Sequence, residues 1–445
     1  MHKALIVLAV STLLWGCAVE AETLRHFQTG AAIPYGGKQQ AGTIEVATVY
    51  RPKAREFRGA WVATVENIDF GKHATAEEFK RDYIAVVNFL RQHNFNAVLF
   101  QIRPNNDAFY PSKLNPWSRW MTGTEGKGYA NFDPLKFMVE EAHKRNLEFH
   151  AWLNPYRVTS STPMRKQEYV NTLAPLNFAR KRPDLVMEVP LEGAKYQLIL
   201  NPAEPEVVSF VCNTVQEIIS NYDVDAIHFD DYFYPYTDIK QIDAAQFKRY
   251  NPRNLALADW RRSNVDNLIY RLSRVIDTHN KSFSRKVQLG ISPFGIWDNK
   301  KSNPLGSLTA GSSSYSRQYA DTRKWVKEEW IDYIVPQLYW QFNRDVAPYA
   351  ALADWWAEQV KGTKVNLYIG MAAYRVGGDG DWKNADEIPA QMRFNAANPH
   401  IKGMIFFSYK SVAAPTNEIM KAGVQGAIRN YWNRSVSTPI TIRNR

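Results

Sequence analysis

The stretch "VDAIHFDDYFYPY", Val224 to Tyr236, runs from an apolar segment fit for a buried strand into two adjacent aspartates, Asp230 and Asp231, and a cluster of aromatic residues. Like charges repel, and both lose hydration when buried. The pair therefore marks either a solvated loop or a site whose bound group needs two acids. Mutual repulsion raises the pKa of one member, so an ionised and a protonated carboxyl can coexist near neutrality. That combination suits the protonation of a leaving oxygen beside a fixed negative charge.

Other short apolar runs end in related chemistry. "NAVLFQIRP" (96–104) carries Gln101 and Arg103 two residues apart and leads to Asp107. "LEFHAWLNPYR" (147–157) places His150, Trp152 and Asn154 on one face, followed by Tyr156 and Arg157. Alternation turns Ala226, His228 and Asp230 to one side and Ile227 and Phe229 to the other, with Tyr232 just beyond. Gln337, Tyr339 and Trp340 close "IDYIVPQLYW" (331–340), Tyr374 closes "VNLYIGMAAY" (365–374), and Glu66 and Asp69 follow "FRGAWVATV" (57–65). Carboxylates, amides, an arginine and aromatic rings together form an inventory for gripping a sugar and cleaving beside it. Plainer roles exist for several of them. Arg103 and Asp107 could pair as a salt bridge, His150 and His228 could be hydrogen-bonded supports, and Trp152 could be core. Asp230 is harder to explain away, because an inward carboxylate on a buried strand needs a reason.

These residues fall at the ends of a repeating series. Eight apolar, β-forming runs recur, the remaining ones being "VQLGISPFGIW" (287–297) and "GMIFFSY" (403–409). Segments with helical spacing separate them, such as "AEEFKRDYIAVVNFLRQHN" and "PEVVSFVCNTVQEIISNY". Eight strands alternating with helices predict an α/β fold whose parallel sheet closes into a (β/α)8 TIM barrel, with functional groups at the C-terminal strand ends. A doubly wound sheet would want a Gly-rich phosphate turn after its first strand, and "WVATVENIDF" has none. The expected division is a signal peptide over 1–16, a tether over 17–56, the barrel over 57–433 and a tail over 434–445. A long loop insertion is expected over about 158–203.

The N-terminus reads as an export signal. A basic start precedes "ALIVLAVSTLLW", which is too short to span a membrane as a helix. "LLWGCAVE" fits a bacterial lipobox in which Cys17 is diacylated, anchoring the chain to a membrane, with the outer membrane facing the periplasm as the expected place. The competing cut lies after Ala21. Cys212 is then the one other cysteine, so no intramolecular disulfide is expected, and its apolar neighbours suit core. The formal charge of +11 comes without a long basic run, and no nucleic-acid-binding motif accompanies it. None of the 9 histidines stands four residues from another, so no metal site is expected. The chemistry calls for no cofactor, and nothing requires an oligomer.

The runs "RGAWVATV", "FQIRPNNDAFYPSKLNPWSRWMTG", "FHAWLNPYRV", "HFDDYFYP", "GISPFGIW" and "PQLYWQF" together resemble the bacterial glycosyl-hydrolase-like lipoproteins, from about residue 57 to 432. The resemblance implies a TIM-barrel glycosidase acting on peptidoglycan glycan strands, especially strands stripped of their peptides. The family's second-strand loop usually reads Pro-x-Gly-Asp-Ala. Here Asn106 stands at the glycine, and Asn105 stands where some relatives carry an acid.

Two mechanisms follow. With two separate carboxylates, Asp230 is nucleophile or base, and Asp107 or Glu66 supplies the acid. With substrate assistance, the acetamido group of an N-acetylated sugar attacks, Asp230 orients it, and Asp231 is the acid. "FDDY" looks like the pair in O-GlcNAcase-type barrels. "DAIHFDDY" matches the chitinase pattern less well, since Tyr232 stands at its glutamate. Substrate-binding positions are expected at Gln101, Arg103, Trp152, Asn154, Tyr156, His228, Tyr232, Gln337, Tyr339, Trp340 and Tyr374. The rival readings are a wall-binding barrel without chemistry, and a hydrolase or deacetylase of another polysaccharide.

Overall fold

The computed structural model describes residues 20–441; Cys17 and the expected signal peptide lie outside them. Eight parallel strands close into a barrel in chain order: β1 (Phe57–Val62), β2 (Ala97–Arg103), β3 (Glu148–Leu153), β4 (Ala226–Phe229), β5 (Gln288–Ile291), β6 (Tyr333–Ile334), β7 (Asn366–Met371) and β8 (Ile401–Phe406). The last strand pairs with the first, Met404 beside Arg58. The (β/α)8 architecture read from the alternating runs is the one observed.

Helices form where the periodic segments begin with good caps. Ala76–Gln92 opens on a capping box between Thr75 and Glu78 and buries Phe79, Tyr83, Val86, Val87 and Leu90 against the barrel. Pro134–His143 starts with Asp133 accepting from the Lys136 amide. The outward strand residues Ile227 and Phe229 join this helix-facing core, while Ala226 packs in a separate interior cluster with Phe57, Trp61, Leu99, Trp152, Tyr333 and Tyr368. Gly290 makes room there for a ring, since a Cβ on it would lie 1.9 Å from Tyr333.

The barrel interior also holds a polar chain. The indole N–H of Trp61 can only donate, so His228 Nε2, 3.1 Å away, is the acceptor. His228 Nδ1 then carries the proton and donates to the Tyr333 hydroxyl (3.1 Å), which in turn donates to His150 Nδ1 (2.7 Å). His150 Nε2 completes the chain at Glu148 (3.0 Å). Burial holds the pKa of His228 well below its ordinary value, consistent with this neutral tautomer.

Two terminal segments differ from expectation. The described part of the 17–56 tether is folded onto the barrel. Ala21–Thr23 pairs antiparallel with Glu45–Ala47, Ile33, Ile44 and Val46 are buried, and Tyr35 bonds Asp354 at 2.8 Å. Short apolar residues spaced among polar ones were enough to cover a flank of the barrel. The tail expected over 434–445 instead crosses the base of the barrel as far as it is described. Ser437 accepts from the Glu56 amide, Val436 from the Asn96 side chain and Ile440 from the Asn366 side chain. Polar groups at the strand starts have to be satisfied, and this segment supplies the partners.

A buried ion pair ties the base together. Arg58 and Glu56 meet at 2.8 Å with both side chains almost wholly buried. Tyr50 donates to Glu56 at 2.5 Å, and Trp432 donates to Tyr50 at 3.0 Å. Glu56→Ala would leave the Arg58 charge buried without its partner. Denaturant titration is expected to show a loss of about 3–5 kcal/mol.

The insertion after β3 contains a three-stranded antiparallel sheet, with Lys195–Leu200 between Arg157–Thr162 and Val186–Leu191. Its first residue, Arg157, is delivered straight to the barrel mouth.

Candidate active site

A cavity of about 460 Å³ opens at the C-terminal ends of the strands. Asp230 and Asp231 form part of its wall, with Gln101, Trp152, Arg157 and Ser292. Its aromatic lining comes from Trp61, Tyr232, Tyr236, Phe294, Tyr339, Trp340, Tyr374 and Phe407. Trp340 meets Phe294 edge-on at 5.5 Å, and Tyr339 meets Tyr374 in the same way at 5.8 Å.

Asp230 is held from three sides. Trp152 Nε1 donates to its Oδ2 at 3.2 Å, Asn154 Nδ2 donates to the same oxygen, and the Tyr232 amide donates to Oδ1 at 3.3 Å. Burial raises its pKa, and the Arg157 guanidinium is the strongest opposing influence. At Asp231 the Tyr236 hydroxyl bonds Oδ2, and the Gln337 amide and the residue's own backbone amide reach the carboxyl. Burial, then the charge of Asp230, pushes Asp231 up to about 8. Burial and the neighbouring charge thus favour the protonated form of Asp231, while Arg157 and the donors around Asp230 oppose the effect of burial there.

Arg157 is buried and lies 4.1 Å from the centroid of the Tyr232 ring. It also donates to the Asn154 side chain (3.3 Å), which accepts from Gln101 at 2.6 Å. Gln101 in turn accepts from the Thr64 and Val65 amides, both at 2.9 Å. The Asp230 carboxylate thus rests on a braced network that fixes its direction.

Several expected positions lie elsewhere. Arg103 and Gln101 were expected to share a face, but the β2–β3 register shifts between them. That irregularity ends the alternation, and Arg103 turns to bind Asn106 (2.7 Å), Asn115 (3.1 Å) and the carbonyl of Asn154 (2.5 Å) behind the wall. Asp107 is likewise outside the cavity lining. It accepts from Ser118 (2.6 Å) and the Asn105 amide (3.0 Å), so it stabilises its own loop. Asn106 does not adopt a left-handed backbone, so this turn does not require the glycine of the family pattern. Tyr156 is fully buried and His228 sits beneath the cavity supporting Trp61. Neither joins the lining, and Asn154 acts through Asp230. Asp69 accepts from the Ala63 and Lys410 amides at 2.8 Å each, bracing two loops. Glu66 stands exposed at the rim. Asp107→Asn and Glu66→Gln are each expected to retain activity within about tenfold, measured as initial rate, since removing an acid catalyst usually costs about 10²–10⁴.

The sequence reading missed Trp61, Tyr236, Phe294, Phe407 and Arg157 as site residues. Alternation along β1 from Phe57 turns Trp61 inward, so that signal was present. Tyr236, Phe294 and Phe407 come from loops whose direction no periodicity records, and Arg157 opens the first strand of the insertion, outside the barrel's own alternation.

A closed parallel barrel with paired carboxyls and aromatic rings at its mouth defines the TIM-barrel glycoside hydrolases as the class. The Glycosyl hydrolase-like 10 model matches residues 56–385, and the chain belongs to that family. It is 41% identical over 384 residues to Glycosyl hydrolase YngK of Bacillus subtilis, covering 83% of this chain and 72% of that one. With Glycosyl hydrolase DigH of Escherichia coli K12 the identity is 36% over 428 residues, covering 92% of both chains. Among solved structures, the PgaB (BpsB) glycoside hydrolase domain from Bordetella bronchiseptica superposes with a TM-score of 0.53 at 12% identity. That match covers 83% of this chain and 98% of that domain, and it is a likeness of fold. The protein is a glycosidase.

Proposed function

We propose that this glycosidase is exported and cleaves peptidoglycan glycan strands, acting on N-acetylated strands freed of their peptides. The observation that carries the chemistry is the pair at the cavity wall, one carboxyl bound by three donors and opposed in its burial by Arg157, its neighbour pushed up to about 8 by burial and the adjacent charge. A carboxylate bound by three donors is a poor nucleophile and a good stationary charge. Asp230 accepts from the acetamido N–H and turns the acetamido oxygen toward the anomeric carbon. As that oxygen attacks, Asp231 gives its proton to the glycosidic oxygen, which leaves as an alcohol. Asp231, now ionised, takes a proton from the water that opens the cyclic intermediate. Among the described residues, the cavity lining contains no third carboxylate to serve as a separate nucleophile or acid. Support for the wall polymer comes from the family resemblance of the strand-end runs and from the signal-like N-terminus, while the likeness to DigH across 92% of both chains supports the hydrolase. Cys17 as a lipid anchor, with the enzyme held at a membrane facing the periplasm, belongs to the same proposal.

The test compares peptide-free with peptide-bearing strands as substrates for the purified protein. Release of new reducing ends from the peptide-free strands is expected to be at least tenfold faster. Equal rates on both would remove the preference. Binding without release from either would mean a wall-binding barrel.

A further inference from the structure

The cavity over the aspartates continues into a second groove. That groove, of about 840 Å³, shares Tyr339, Trp340, Tyr374 and Arg375 with it and runs on over the loops that follow β6 and β7. The loop floor is low. Gly377 has a φ of +86°, and a Cβ on it would lie 2.4 Å from the Asn417 amide. Tyr374 is 42% exposed, and the Arg375 guanidinium lies over its ring, 5.4 Å from the centroid. Arg375 Nε donates to its hydroxyl at 3.1 Å.

The charges of this groove are the informative feature. Arg344 and Arg375 are both exposed, and neither forms an ion pair among the described residues. Among the described residues Asp379 is the one acid lining the groove, which leaves that lining net positive. Guanidinium groups bind carboxylates in a fixed fork.

We infer that this groove is a subsite for the glycan beyond the cleaved bond, and that Arg344 and Arg375 read free carboxylate groups carried on the sugars. The inference rests on the glycan-strand reading and deepens it. A sugar whose carboxyl is joined to a peptide presents a neutral amide and extra bulk. The same sugar with the peptide removed presents a carboxylate that the two arginines can hold. Preference for peptide-free strands then has a positive cause, recognition of charge, in addition to the removal of bulk.

The experiment measures affinity of the full protein for three probes of equal length. These are peptide-free strands, the same strands with their carboxyls converted to methylamides, and neutral N-acetylglucosamine oligomers. The free carboxylate strands are expected to bind about tenfold or more tightly than the amidated ones, and the difference should shrink as salt is raised. In Arg344→Gln, checked for folding by its melting temperature, that ratio is expected to fall several-fold, and Arg344→Glu should abolish it. Equal wild-type affinity for carboxylate and amidated strands overturns the inference, as does an unchanged ratio in both variants. These readouts need no cleavage. A protein that cuts strands without distinguishing them keeps the glycosidase reading and loses this one. A protein that distinguishes them without cutting does the reverse.

Discussion

Asp231→Asn is expected to slow glycan cleavage by about 10²–10⁴-fold, the range for removing a positioned general acid. An amide can still accept from Tyr236 but has no proton to give to the leaving oxygen. A substrate whose leaving group is an acidic phenol needs little protonation, so on an aryl glycoside the loss should be far smaller. The pH dependence carries a second signature. The wild-type carboxyl must be protonated to act, so its rate falls as pH rises through about 8, and the variant's residual rate lacks that alkaline limb. Stability moves with a defined sign. An unfolded aspartate ionises near 3.8, whereas the folded Asp231 keeps its proton to about 8. Between those values the folded state binds the extra proton, so stability declines as pH rises. Asparagine removes this decline, and the melting temperature of the variant should gain on wild type between pH 5 and pH 8.

Asp230→Asn is expected to cost about 10²–10³-fold, the scale for losing one preorganised electrostatic contact to a developing charge. The side-chain oxygen can still accept from Trp152 and Asn154, so the cavity wall should persist. What is lost is the negative charge. With it goes one of the two influences that raise Asp231, burial being the larger. The alkaline limb of the variant's residual activity should therefore move to lower pH, whereas loss of shape alone would leave the limb in place. Measuring rate against pH for both aspartate variants separates an acid from its neighbour.

How much of this was written in the sequence depends on the kind of order involved. Alternation placed Ile227 and Phe229 against the helices and Ala226 inside, as observed, because a four-residue strand has little freedom to turn otherwise. Asp230 followed from the same rule. Arg103 did not, since a register shift between Gln101 and Arg103 cannot be seen in a run that reads as an ordinary strand. The apolar residues of 20–56 were spaced too irregularly to signal a packed segment, and their burial depends on a surface made by distant helices. Arg157 and Tyr236 illustrate the largest gap. Both touch the acid pair or its neighbours; Tyr236 arrives from a loop and Arg157 from the start of the insertion's first strand, and tertiary contacts rather than the barrel's period set their direction.

The most direct measurement is mass analysis of the products from peptide-free, N-acetylated glycan strands incubated with wild type, Asp230→Asn and Asp231→Asn. Wild type is predicted to release fragments differing by whole sugar units, and neither variant should do so at more than about a hundredth of that rate. Fragments released by both variants at the wild-type rate, or strands left intact by all three proteins, would contradict the assignment of the paired aspartates as the machinery of a wall glycosidase.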